Sequence, residues 1–250
     1  MENKFQQILS KVRRAVDDYN MISDGDRIAV GVSGGKDSLT LLCALAGLRR
    51  FYPAKFEVIG VSLDMGNPGV SFAEVRKLCD KIGVEYVVKK TDIAEIIFDI
   101  RKEKNPCSLC AKMRRGGVND LAASLGCNKV ALGHHREDVI ETFFLSLFYE
   151  GRINCFSPVT YLSRRDIHVI RPMIYLPEGD IKSYAAKEEL PIVKSNCPMD
   201  GKSKRQDMKD FINQKTREDK FFKTKMLHAI STGIPSWQQN HKKDQLEKYD

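Results

Sequence analysis

The chain has 250 residues, 42% hydrophobic and 30% charged, enough for one main domain with an appendage, and its regular apolar runs exclude wholesale disorder. No apolar stretch approaches the roughly 18 residues a membrane span needs, and Phe5, Ile8, Leu9, Val12 and Val16 form one helix face among charges rather than a secretory core, so a cytoplasmic protein is expected. The net charge of +8 is concentrated: residues 101–115 and 202–225 carry +5 each and the rest −2, a pattern suited to a phosphate backbone. After the opening helix, Asp26 to Ser33 reads as a buried strand, a glycine loop follows, and Leu39, Leu41, Leu42, Leu45 and Leu48 recur at helical spacing. The alternation continues with strand Lys55 to Leu63, helix Ser71 to Lys81, strand Glu85 to Lys89 and a helical stretch Ile93 to Arg101. A helix around Lys112 to Ser124, strand Lys129 to Leu132 and helix Glu137 to Tyr149 complete it. Such a pattern predicts an α/β fold, a parallel sheet with helices on both faces, whose ligands sit beyond the carboxyl ends of the strands. Beyond Gly151 only a short strand His168 to Arg171, a helix Gly179 to Glu188 and basic helices after Ser203 are expected, with Pro235 to Asp250 polar and frayed. The expected organisation is an N-terminal helix over 1–24, a main domain over 25–200, a basic helical segment over 201–231 and a polar tail over 232–250.

Three segments carry chemistry. Ser33, Gly34, Gly35, Lys36, Asp37 and Ser38 join the first strand to its helix, where backbone N–H groups and the helix N-terminus hold anions. Gly31 and Gly35 are separated by three residues and Asp37 precedes Ser38, so this is not a Walker A loop. Gly133, His134, His135, Arg136, Glu137 and Asp138 run from a strand into a helix, with Asp138 and Glu141 on one face. Acids at a helix start also serve the dipole, which accounts for Glu141; Asp138 is favoured as a magnesium or nucleotide contact. The third segment is Cys107, Ser108, Leu109 and Cys110, with a distant Cys197. A lone CxxC serves redox, zinc or iron–sulfur sites. Seven cysteines in a chain without an export signal argue against a disulfide framework. Cys43, Cys79 and Cys127 read as buried small hydrophobes, and Cys155 is left open.

The SGGKDS loop resembles that of the PP-loop ATP pyrophosphatases, whose fold is adenine-nucleotide α-hydrolase-like. Together with CSLCAKMRRG, LGHHREDVIETFFLSLFYEG, VIRPMIYL and SNCPMDGKSKRQ, it makes residues 26–211 similar to the TtcA family of tRNA 2-thiocytidine synthetases. The resemblance implies that ATP adenylates the C2 oxygen of an anticodon-loop cytidine, at position 32, that pyrophosphate leaves, and that sulfur displaces AMP. It implies ATP held by Ser33, Gly34, Gly35, Lys36, Asp37, Ser38, Leu63 and Gly133, Mg²⁺ near Asp37 and Asp138, and a [4Fe-4S] cluster on Cys107, Cys110 and Cys197. Asp37, Asp138 and Arg114 are the catalytic candidates; Arg115, Lys204 and Arg205 are the RNA candidates. The expected partners are tRNA and a sulfur donor, a cysteine desulfurase or sulfide, with no membrane; a homodimer is admitted but not fixed. The chain departs from the family in its short C-terminal extension and in the surroundings of Cys197. The alternatives are another PP-loop RNA-modifying ligase, lysidine-type or 2-thiouridine, which needs no cluster, and a nonenzymatic RNA-binding protein with structural zinc.

Overall fold

The computed structural model describes residues 4–66, 69–100, 106–193, 204–239 and 241. A six-stranded sheet runs in the order β3-β2-β1-β4-β6-β5. Its strands are β1 (Asp26–Gly31), β2 (Phe56–Asp64), β3 (Glu85–Lys90), β4 (Lys129–Ala131), β5 (Val159–Leu162) and β6 (Ile167–Ile170). All neighbours pair in parallel except β5, which is antiparallel to β6 at the edge. The chain builds outward from β1 through β2 to β3, then returns to place β4 on the other side of β1. That reversal between β1 and β4 opens a crevice at their carboxyl ends.

Period-two burial sorts the side chains onto two faces. Ile28, Val30 and Val32 of the first strand and its exit meet α1 (Lys4–Asp18), α2 (Lys36–Leu48), α3 (Ala73–Ile82), α6 (Arg136–Glu150) and α7 (Glu178–Lys187) in one core. The intervening Ala29 joins Ile59, Val61, Val130 and Val169 on the opposite face, covered by Leu121 and Ala122 of α5 (Pro106–Ser124). Ile8, Leu9, Val12 and Val16 of α1 share the first core, as do Met208 and Ile212 of α8 (Lys204–Glu218), Ile230 of α9 (Phe222–Gly233) and Trp237 of α10 (Pro235–Gln238).

Four local expectations are corrected. Helix α5 already includes Pro106 rather than beginning near Lys112, so the CxxC is helical. The stretch after Ile93 is one short helix, α4 (Ile93–Glu95), running into a π-helical turn, Ile96–Ile100. Strand β5, too short for a periodic signal, pairs with β6. The segment from Pro235 is not wholly frayed: Trp237 is completely buried, donates its indole N–H to Phe156 O at 3.0 Å and meets Tyr19 edge-on. Residues 242–250 lie outside the described residues. No described helix is long and apolar enough to cross a membrane.

Candidate functional site

A cleft of about 640 Å³ opens at the carboxyl ends of β1, β2 and β4. Its floor is the loop after β1. Gly34 adopts φ +83°, and its carbonyl accepts the Val193 N–H at 2.9 Å. Ser38 is buried and braces the loop: its hydroxyl donates to Gly35 O at 3.0 Å and accepts the Ser33 N–H at 3.2 Å. Ser33 is exposed and lines the cleft. Gly35 caps α2 without a side-chain hydrogen bond, which leaves the first N–H groups of that helix available to an anion.

Charges are layered behind this loop. Lys36 Nζ lies 2.9 Å from Asp37 and 3.3 Å from Glu178. Burial alone lowers the pKa of this ammonium, but the two acids outweigh burial and leave it raised, so Lys36 is firmly cationic. Across the cleft, Gly133 approaches so closely that a Cβ there would stand 3.1 Å from the backbone of Asp37 and Ser38. His135 Nε2 lies 3.8 Å from Asp37 and 3.5 Å from Asp138, and the backbone N–H of His135 donates to Asp138 at 2.9 Å. Burial opposes protonation of His135, but Glu137, Asp138 and Asp37 raise its pKa. Asp37 and Asp138 thus face one imidazole nitrogen and both line the cleft, an oxygen donor pair suited to Mg²⁺.

The neighbouring His134 behaves oppositely. Burial, then the Arg171 guanidinium, lower its pKa to about 4, so it lines the cleft as a neutral ring, 4.8 Å from Phe156. Glu137 was not singled out by sequence, yet it ties the site together. It is 2.8 Å from Arg136, 3.5 Å from His135 and 3.4 Å from Lys223, and it accepts the Glu178 N–H at 2.8 Å. These contacts outweigh burial and hold its carboxyl well below the usual carboxylate range.

One wall is a face of α5: Ala111, Arg114, Arg115, Val118 and Asn119 recur at helical spacing. Buried Asn119 also escaped sequence reading, although its place four residues after Arg115 was the available signal. Leu63, Val61 and Phe72 form the apolar end, and Asp64 closes β2 beside them. Arg205 enters from α8, 3.8 Å from Asp138 and 3.5 Å from Glu141, whereas the adjacent Lys204 extends over the exposed Tyr149 ring at 4.4 Å. The two basic candidates of α8 therefore face different surroundings.

Cys107 and Cys110 lie in α5 three residues apart, with Cys110 immediately before Ala111 of the cleft wall; Cys107 is exposed and Cys110 half-buried. Two thiols on one helix face at the cleft rim are soft donors that suit iron–sulfur ligation. Cys197 lies outside the described residues, and among the described residues no three potential ligands converge. The remaining cysteines are structural. Burial pushes the thiols of Cys43 up to about 11 and of Cys79 and Cys155 to about 12, and raises that of Cys127. Cys155, left open by sequence, is buried and donates to Val139 O at 3.3 Å.

Residues 1–216 match the PP-loop domain family. The chain is 38% identical over 237 residues to a tRNA-cytidine(32) 2-sulfurtransferase of Geobacter sulfurreducens, covering 94% of this chain and 92% of that one. It is 40% identical over 234 residues to the protein of that name from Pelobacter propionicus, covering 92% and 87%. Among solved structures, the U34-tRNA thiolase NcsA from Methanococcus maripaludis, determined with its [4Fe-4S] cluster, shares the fold with a TM-score of 0.76 at 22% identity, over 92% of this chain and 78% of that one.

Proposed function

The chain belongs to the tRNA-cytidine(32) 2-sulfurtransferase family of PP-loop proteins, and from that membership we propose that it catalyses ATP-dependent thiolation of cytidine 32 in tRNA. The observation that carries this reading is the convergence of the Ser33–Ser38 loop, the Gly133–Asp138 turn and the helix bearing Cys107 and Cys110 around one cleft. A volume of about 640 Å³ suits a nucleotide and the edge of a base.

In this reading Ser33, Gly34, Gly35 and the N-terminus of α2 hold the β- and γ-phosphates, Lys36 neutralises them and Ser38 keeps the loop in shape. Leu63 packs on the adenine, and Gly133 keeps the two loops in contact. Asp37 and Asp138 hold Mg²⁺ against phosphate charge. The C2 oxygen of an unstacked cytidine attacks the α-phosphorus; the α–β bridge breaks and pyrophosphate leaves. Arg114 stabilises charge on the adenylated oxygen. Hydrosulfide sulfur then bonds to C2, the C2–O bond breaks with its electron pair going to AMP, and 2-thiocytidine remains. Cys107, Cys110 and Cys197 would hold a [4Fe-4S] cluster, which would supply an iron able to bind sulfur. Arg115 and Lys204 meet the RNA backbone, where the anticodon loop lets a base leave its stack. A cysteine desulfurase or sulfide delivers the sulfur, and the enzyme works in the cytoplasm.

Anaerobic incubation of purified protein with tRNA, ATP and sulfide tests the reading. AMP, pyrophosphate and 2-thiocytidine should appear in equal amounts. Stoichiometric ADP and phosphate, or unmodified cytidine, would overturn it.

A further inference from the structure

Helix α8 enters the nucleotide cleft with Arg205 and meets the charge network behind the phosphate loop with Lys209. Arg205, in its first turn, lines the cleft: Nη1 lies 3.8 Å from Asp138, Nε 3.5 Å from Glu141, and Nη2 donates to Thr142 Oγ1 at 3.2 Å. One turn later, Lys209 Nζ stands 3.3 Å from Glu178 Oε1, and the same oxygen is 3.3 Å from Lys36 Nζ. The helix is thus bonded both to the acids of α6 and, through Glu178, to the lysine of the phosphate loop.

These bonds compete with a triphosphate. The cleft walls already carry Asp37, Asp64 and Asp138, so entry of several phosphate charges requires cations between them and the carboxylates. A guanidinium makes short, bidentate bonds to phosphate, stronger than the 3.5–3.8 Å contacts Arg205 makes with Asp138 and Glu141. Its side chain is 48% exposed, so changing partner needs no unpacking of the core. Lys36, once engaged with phosphate, also weakens its hold on Glu178 and leaves that acid to Lys182 and Lys209. Lys204, the neighbour of Arg205 on the same backbone turn, extends outward over Tyr149, so any shift of the first turn of α8 carries both residues.

We propose that Arg205 is a phosphate-binding residue for the nucleoside triphosphate and that its exchange of partners re-seats α8, so that nucleotide and RNA bind with linked affinities. The proposal rests on the ATP-dependent RNA-modifying reading above. The competing account, a static counter-ion for buried Glu141, gives no linkage, because a contact equal in all ligation states shifts no equilibrium.

The test uses the full chain, a fluorescent tRNA transcript and a non-hydrolysable ATP analogue with magnesium. The analogue should change RNA affinity at least fivefold, and RNA should change analogue affinity by the same factor. Arg205→Gln should weaken analogue binding about tenfold and bring the coupling factor close to one. Arg205→Lys, which keeps the charge but loses the fork, should show part of both losses and serves if the glutamine variant fails to fold. Lys77→Gln removes an equal charge from an exposed pair with Glu74, outside both basic windows, and should leave the coupling factor unchanged. Wild-type analogue affinity in both Arg205 variants would make the residue a static counter-ion and overturn the proposal. Independent binding of the two ligands to the native chain would overturn the linkage. Failure of the native chain to bind either ligand would instead overturn the functional reading itself.

Discussion

Replacing Gly34 by alanine tests how the phosphate loop is held. Two separate penalties apply. At φ +83° an L-residue costs roughly 1–2 kcal/mol. The new Cβ would also stand 2.7 Å from Val193 Cβ and 2.9 Å from its Cγ2, an overlap that costs roughly 1–3 kcal/mol because the segment at Val193 must shift. The sum, about 2–5 kcal/mol, is a large fraction of the ~5–15 kcal/mol stability of a domain. Urea denaturation measures it, and equilibrium binding of an ATP analogue reports the loop, which should lose affinity at least tenfold as its N–H groups turn. Val193→Gly in the same chain removes the overlap but not the φ penalty, so the double mutant should recover about 1–3 kcal/mol relative to additivity. An unchanged urea midpoint in Gly34→Ala, or strict additivity in the cycle, would refute the reasoning.

Three further outcomes are expected. His134 has a folded pKa of about 4 against an ordinary 6.5, so the unfolded chain binds more protons and stability is lost as pH falls from 6.5 toward 4. Between pH 7 and 5 this group contributes a loss of about 2 kcal/mol, which His134→Asn should remove from the urea midpoints; an equally steep acid limb in the variant would discount the histidine. Cys107→Ala and Cys110→Ala should each abolish iron–sulfur absorbance after anaerobic reconstitution, whereas Cys43→Ala should lower only stability; full iron in the Cys107 variant would remove that ligand. Lys204→Glu should weaken RNA binding and flatten its dependence on salt, while an unchanged slope across a salt series would leave Lys204 as solvated surface.

The architecture was legible because the physical signals were local and redundant. Each of β1, β2 and β4 is a short apolar run ending at a polar or glycine-rich loop, and α2 and α6 begin at those loops, so the crevice between β1 and β4 follows from chain order and the parallel rule. The convergence of Asp37 with Asp138 follows in turn, since each stands just beyond one of those strands. What escaped was set by tertiary packing. Trp237 reads as one aromatic in a polar tail, and only the folded chain supplies Phe156 O for its indole and Tyr19 for its edge. Strand β5 has four residues with no strict alternation and exists through β6. Glu137 looks like a residue suited to a helix dipole until Arg136, Lys223 and the Glu178 N–H close around it.

The basic window at 202–225 shows why charge counting stops short of a site. Its sum is compatible with RNA, yet three of its cations are spent internally: Arg205 on Asp138 and Glu141, Lys209 on Glu178, and Lys223 on Glu137. Sequence separations of roughly 30 to 90 residues between these partners hide the pairing from any local pattern. The consequence is mechanical as well as electrostatic. On the proposal above, a helix whose inward cations hold Asp138, Glu141 and Glu178 and whose outward Lys204 lies at the surface would present an altered face to RNA once Arg205 changes partner. Charge that looked like a single RNA-binding property is divided, within one helical turn, between cleft acids met by Arg205 and an exposed surface occupied by Lys204.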